Sequence, residues 1–154
     1  MAKRAIVEKD SASVVIEGLA EFIVAMKKAN PDLVVQIALA NQAVGKAIVV
    51  DAKAKANSIG WPGSAQLAAK TLGSSKSAKN AMVRLGGKRA PFALGTEFGA
   101  KRYKQFAAWR GNQWVGFDTG VGYYLHPAVR ESWPEARETY LKTIDEVMRT
   151  SFPE

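Results

Sequence analysis

From Pro31 to Ala56 the chain carries one continuous helical pattern, and this rod limits what the remaining residues can build. Asn30-Pro31-Asp32 is a start signal. Asn30 can cap, Pro31 suits the first helical position, and Asp32 adds favourable charge near the positive end of the helix. Leu33, Ile37, Ala40, Val44 and Ile48 recur along one stripe, while Ala38, Ala43, Ala47, Ala52 and Ala54 occupy other positions. At about 1.5 Å per residue such a helix would be about 39 Å long. Alanine keeps it thin, so that another backbone can come close. The chain has 154 residues, the size of one domain. A domain of that size has difficulty covering so long an apolar rod alone. The expectation is that the preceding helix, or a neighbouring subunit, lies along it.

That preceding helix is predicted over residues 11–29. Val15, Leu19, Phe22 and Met26 are spaced by four, three and four, and Ile16 and Ile23 widen the stripe. Together the two helices form a hairpin over 11–56, closed by the turn residues Asn57 to Gly63. A short helix is expected from Ser64 to Leu72, then a flexible polar link from Gly73 to Ser77, then a strand between Ala78 and Leu85. A helical turn is expected within Ala90–Phe98. Trp114–Phe117 and Val121–Leu125 read as short aromatic strands either side of Asp118-Thr119-Gly120. Pro127 opens a final helix over 127–150, or Pro134 restarts it after a break. The sum is one α+β domain over 1–154: two long N-terminal helices, a small antiparallel β-sheet within 78–125, and a C-terminal helix.

Composition narrows the chemistry. The chain has no cysteine and a single histidine, His126. A zinc or copper site made only of protein ligands is therefore not expected, nor is any cofactor. No uninterrupted apolar run reaches the ~18 residues of a membrane-spanning helix, and no apolar signal core follows Met1-Ala2-Lys3-Arg4. The expectation is a protein made in a cytoplasm, with no membrane partner. The net charge of +8 is unevenly spread. Residues 61–110 carry ten Lys or Arg against one acid, Glu97, whereas residues 111–154 carry four against seven. A field of this kind favours an acidic partner, either nucleic acid or an acidic protein face.

Catalytic patterns fail on inspection. Ala40 to Ala47 resembles a phosphate loop only at Gly45-Lys46, and it lies inside the long helical pattern. Gly116 to Gly122 opens no helix that would make it a dinucleotide site. Ser132 and Thr119 lie in no nucleophile elbow. His126 reads as a strand-end side chain packed near a helix start, and no small-molecule substrate is expected. What stands out is Ala90 to Arg130, where nine Phe, Tyr or Trp residues interleave with Gly, Lys and Arg. Rigid aromatic anchors beside cations are typical of docking surfaces. The candidate patch, facing a protein partner or DNA, is Arg84, Lys88, Arg89, Lys101, Arg102, Tyr103, Lys104, Phe106 and Trp109. Individually Phe106 and Trp109 read as core aromatics. As a set the residues read as a binding patch.

These residues also carry a resemblance. A helical N-terminal half, Pro62-Gly63 with Leu67, a strand, the segment A-P-F-A-L-G-T-E-F-G, then Y-L-H-P-A-V-R and a terminal helix follow one another. This order resembles the tail-completion (head–tail joining, or neck) proteins of long-tailed bacteriophages. Their a-x-x-x-E-x-G-T segment is similar to Ala93–Gly99, although here Gly95-Thr96 precede Glu97. Their P-F-h-x-P-A segment is similar to Tyr124–Ala128. The resemblance implies a non-catalytic virion protein, assembled in the host cytoplasm, forming a sixfold homo-oligomeric ring at the head–tail junction. It implies the head connector and the tail-tube or tail-terminator proteins as partners, with non-specific contact to packaged DNA. The alternatives are another neck ring, either tail terminator or connector stopper, and a sequence-independent nucleic-acid-binding protein.

Overall fold

The computed structural model describes residues 5–7, 14–16, 19–59, 64–112 and 120–151. Its elements are β1 (Ala5–Val7), β2 (Val14–Ile16), α1 (Leu19–Ala29), α2 (Pro31–Ser58), α3 (Ser64–Ala69), β3 (Gly73–Ser75), β4 (Met82–Arg84), α4 (Ala93–Phe98) and α5 (Leu125–Ser151). The class is α+β, as the sequence predicts.

Helix α2 is the axis of the fold. The Asn30 side chain accepts from the Asp32 amide at 3.2 Å, Asn30 itself is extended (φ −151°, ψ 94°), and Pro31 follows within the first turn. At the other end Ser58 Oγ donates to the Lys55 carbonyl at 2.7 Å. Leu33, Ile37, Asn41, Ile48, Ala52 and Ala56 are buried along one side. Against that side pack α1, α3, the β3–β4 hairpin and α5. Among the described residues two apolar clusters form along α2, and a third joins Ala68, Ala90 and Ala93. Of the two along α2, one joins Met26, Leu33, Ile37 and Val147 near the start of the helix. The other joins Ile48, Ala52, Ala56, Ala65, Leu72 and Tyr124 near its end. By length and hydropathy (1.7 over its most apolar window) α2 could also cross a membrane. The sequence expectation missed this because Gln36, Asn41, Gln42 and Lys46 interrupt the run. Within this fold the apolarity of one side of α2 serves the core, and Asn41 there donates to the Ser77 carbonyl at 2.9 Å.

Gly45, the remnant of the phosphate-loop pattern, has a packing role. A methyl group there would stand 2.8 Å from Ser74 Cβ, so its absence lets β3 lie directly on the helix. This contact explains why Gly73–Ser75, expected as a link, is instead a strand paired antiparallel with Met82–Arg84. The predicted 78–85 strand is correspondingly shorter.

Two further expectations are corrected. The helix predicted from residue 11 begins at Leu19, and Val14–Ile16 pairs antiparallel with Ala5–Val7. Three consecutive β-branched residues lose side-chain freedom in a helix and suit a strand. Val121–Leu125 is not a strand. Gly120 and Gly122 have positive φ (69° and 80°), and Leu125 already belongs to α5. The predicted strand at Trp114–Phe117, and Asp118-Thr119 of the turn, lie outside the described residues. Helix α5 continues through Pro134 without restarting, and starts two residues before Pro127.

Candidate functional site

The segment from Ala93 to Arg110 is built around Glu97, which is 1% exposed. Its Oε2 accepts from the amides of Tyr124 (3.2 Å) and Leu125 (2.9 Å). Its Oε1 accepts from the His126 amide (2.8 Å) and faces His126 Nδ1 at 2.9 Å. Its backbone carbonyl accepts from the Tyr123 amide at 2.8 Å. The opening of α5 brings no Ser, Thr, Asp or Asn of its own, since Tyr124 precedes Leu125 and the first turn holds no acid. A carboxylate supplied by α4 satisfies those amides and meets the positive end of the helix. With Glu97 ionised, Nδ1 of His126 carries the proton and donates it. The His126 ring also lies against Phe98, with centroids 5.0 Å apart.

Beside this cap, Thr96 Oγ1 donates to the Ala93 carbonyl at 2.7 Å, which leaves it to accept from the buried Tyr124 hydroxyl at 2.9 Å. Burial, helped by the Glu97 charge, pushes the Tyr124 hydroxyl up to about 12. Gly122 completes the arrangement. Any side chain there would run into the Glu97 carboxylate and His126, and its φ of 80° suits glycine.

From this anchor a loop projects. Gly99 (φ 73°) leaves no room for a side chain against the carbonyls of Ala107 and Ala108. The Ala100 amide donates to the Ala107 carbonyl at 2.9 Å, and the Arg110 amide to the Phe98 carbonyl at 2.6 Å. Phe106 turns inward over Gly95, where a methyl group would stand 2.7 Å from the ring. The tip, Lys101-Arg102-Tyr103-Lys104, is exposed, Tyr103 at 63%. Lys101 Nζ lies 4.4 Å from the centre of the Trp109 ring, itself 44% exposed. Arg110 covers Tyr123 at 4.1 Å, and the Tyr123 hydroxyl donates to the Ala108 carbonyl at 2.8 Å. The loop is therefore braced at its base and open at its tip.

The predicted patch divides in two. Lys101, Arg102, Tyr103, Lys104 and Trp109 share the loop, with Phe106 as its inner anchor. Lys88 and Arg89 lie elsewhere, on the rim of an open depression of about 570 Å³ with Lys70, Leu67 and Phe92. Arg84 is exposed on β4 and lines neither the loop nor that depression. Sequence reasoning missed Lys70, Arg110 and the Glu97 cap. The available signal for the cap was a proline-led helix without a local capping side chain, downstream of one acid among ten cations.

Glu97 and His126 form a carboxylate–imidazole pair, but both carboxylate oxygens are engaged by α5. Among the described residues no three His, Cys, Asp or Glu side chains converge as a metal site. No family model, curated protein or solved structure matches the chain.

Proposed function

We propose that this chain is a non-catalytic structural subunit of a bacteriophage head–tail junction, forming a ring, sixfold by the resemblance, that joins the tail to the head connector. One observation carries the reading. Ala93–Gly99 and Tyr124–Ala128, the two segments that resemble the joining-protein pattern, meet at the buried Glu97 carboxylate and hold the 100–110 loop between them. That loop offers cations and aromatic rings on a fixed base, a combination suited to an acidic protein surface. The partners proposed for it are the head connector and the tail-tube or tail-terminator proteins. Exposed Val35, Leu39 and Val50 on α2 add apolar surface available to neighbouring subunits. Particle assembly would take place in the host cytoplasm, and the mature location would be the virion neck.

The test is reconstitution. Heads and tails assembled without this chain are mixed with the purified protein and counted as joined particles by electron microscopy. Joining only on addition supports the reading, and no gain in joined particles overturns it.

A second reading has its own support. Every charged side chain described between 64 and 110, apart from buried Glu97, is a cation. That favours a sequence-blind nucleic-acid-binding protein. Tight duplex binding by the isolated chain that falls steeply with salt, together with failure to join heads to tails, would select it.

A further inference from the structure

The depression beside α3 is a receptor of mixed character. Leu67, 53% exposed, and half-buried Phe92 supply apolar surface, while Lys70, Lys88 and Arg89 stand at its edge. Its shape rests on local chemistry. Thr71 Oγ1 accepts from the Gly86 amide at 2.8 Å while donating to the Ala68 carbonyl at 2.6 Å. The Ala90 amide closes the intervening turn on the Gly87 carbonyl at 3.0 Å. Among the described residues no acidic side chain lines the depression.

The same chain presents a surface of opposite character. On the outer side of α5, Glu138, Leu141, Asp145 and Met148 follow at spacings of three, four and three, which places them on one face with Lys142, while Glu135 stands one turn earlier at the edge towards α2. All six are exposed, with Leu141 at 37% and Met148 at 41%. Asp145 pairs with Arg149 at 3.1 Å, whereas Glu135 and Glu138 have no ion-pair partner among the described residues. This face combines acids, and one lysine, with apolar groups, as the depression combines cations with apolar groups.

We propose that the α5 face of a second copy seats on the Leu67–Phe92 depression, with Glu135 and Glu138 meeting Lys70, Lys88 and Arg89. The contact is heterologous: each copy offers its α5 face to one neighbour and its depression to the other, which is the geometry that generates rings. The inference rests on the ring reading above and names the surfaces between its subunits. A nucleic-acid backbone would use the cations but gain nothing from Leu67, and it would leave Leu141 and Met148 uncovered.

The experiment is sedimentation velocity of the full chain across a dilution series. Four proteins are compared: wild type, Lys88→Glu/Arg89→Glu, Glu135→Arg/Glu138→Arg, and the combination of all four changes. Circular dichroism melting checks that each is folded. Wild type is expected to assemble. Either pair of reversals should raise the dissociation constant by about ten-fold or more, and the combination should recover most of the loss. A wild type that stays monomeric throughout overturns the ring reading together with this contact. Assembly that ignores both reversals, or reversals that weaken without rescue in the combination, overturns the contact and leaves the ring standing. Reversals at Lys88 and Arg89 that abolish duplex DNA binding without changing assembly assign the depression to nucleic acid instead.

Discussion

Glu97 on α4 caps α5 at His126, its Oε1 taking both the backbone amide (2.8 Å) and Nδ1 (2.9 Å) of that residue. Two segments 29 residues apart are thereby locked together, and the exposed loop between them inherits a fixed base. Removing this acceptor leaves buried donors unpaired. Glu97→Gln sets an amide NH₂ against groups that already donate, and should cost about 2 kcal/mol. Glu97→Ala strands the amides of Tyr124, Leu125 and His126 together, and should cost about 3–5 kcal/mol. Urea unfolding measures both. A loss under about 1 kcal/mol for the alanine variant would show that α5 does not depend on this carboxylate.

Gly122 and Gly120 separate steric crowding from backbone strain. Both have positive φ, but a methyl at Gly122 meets Glu97 and His126, while among the described residues nothing lies within 4 Å of one at Gly120. Gly120→Ala should cost roughly 1 kcal/mol, from the left-handed backbone alone. Gly122→Ala should cost roughly 2 kcal/mol more, because overpacking is added. Equal melting temperatures for the two variants would contradict the crowding at Glu97.

Where the determinants of structure are local, the residues announce them. Asn30-Pro31-Asp32 starts α2 where its chemistry predicts, whereas its end lies two residues beyond the expected Ala56, with Asn57 and Ser58 still helical. Val14-Val15-Ile16 was ambiguous because its apolar residues fit a helical stripe, and only pairing with Ala5–Val7 decides for strand. The loop cations were legible as exposed groups. The inward turn of Phe106 was not, because it depends on Gly95 across the loop. Nor was the division of the patch, since the chain path between Arg89 and Lys101 is set by α4 and its link to α5. The cap of α5 by Glu97 is non-local in the same way: the acid and the helix it serves are visible separately, and only folding joins them.

Tyr124 gives a pH dependence with a definite sign. Its hydroxyl titrates at about 12 in the folded chain, against an ordinary value of 10.0. Between those values the folded state holds a proton that the unfolded state has released, so stability falls as pH rises. The contribution is fully present below about pH 10 and is lost progressively towards about pH 12, on the order of 2–3 kcal/mol in all. Tyr124→Phe cannot titrate. It should lose about 1 kcal/mol at neutral pH with the Thr96 hydrogen bond, and should show a shallower alkaline decline in urea unfolding. Parallel declines for variant and wild type would assign the alkaline loss to other groups, of which Tyr140, also raised by burial, is the first to examine.

The loop tip tests the joining role directly. Lys101, Arg102 and Lys104 are exposed, and Lys101 rests on Trp109. Arg102→Glu and Lys104→Glu remove no buried contact, so each should change stability by under about 0.5 kcal/mol. If the tip meets an acidic ring of the connector, each reversal places like charges across that interface, and joining of heads to tails should fall by roughly ten-fold or more. If the tip only lines a DNA passage, contact must be loose enough for the genome to slide, and joining should be unaffected while salt-dependent duplex binding drops. The aromatic groups favour the protein interface: Tyr103 and Trp109 are exposed beside the cations and are held by a closed loop, so little entropy is lost on docking. Wild-type joining by both reversed variants, with folding intact, would remove this loop from the junction.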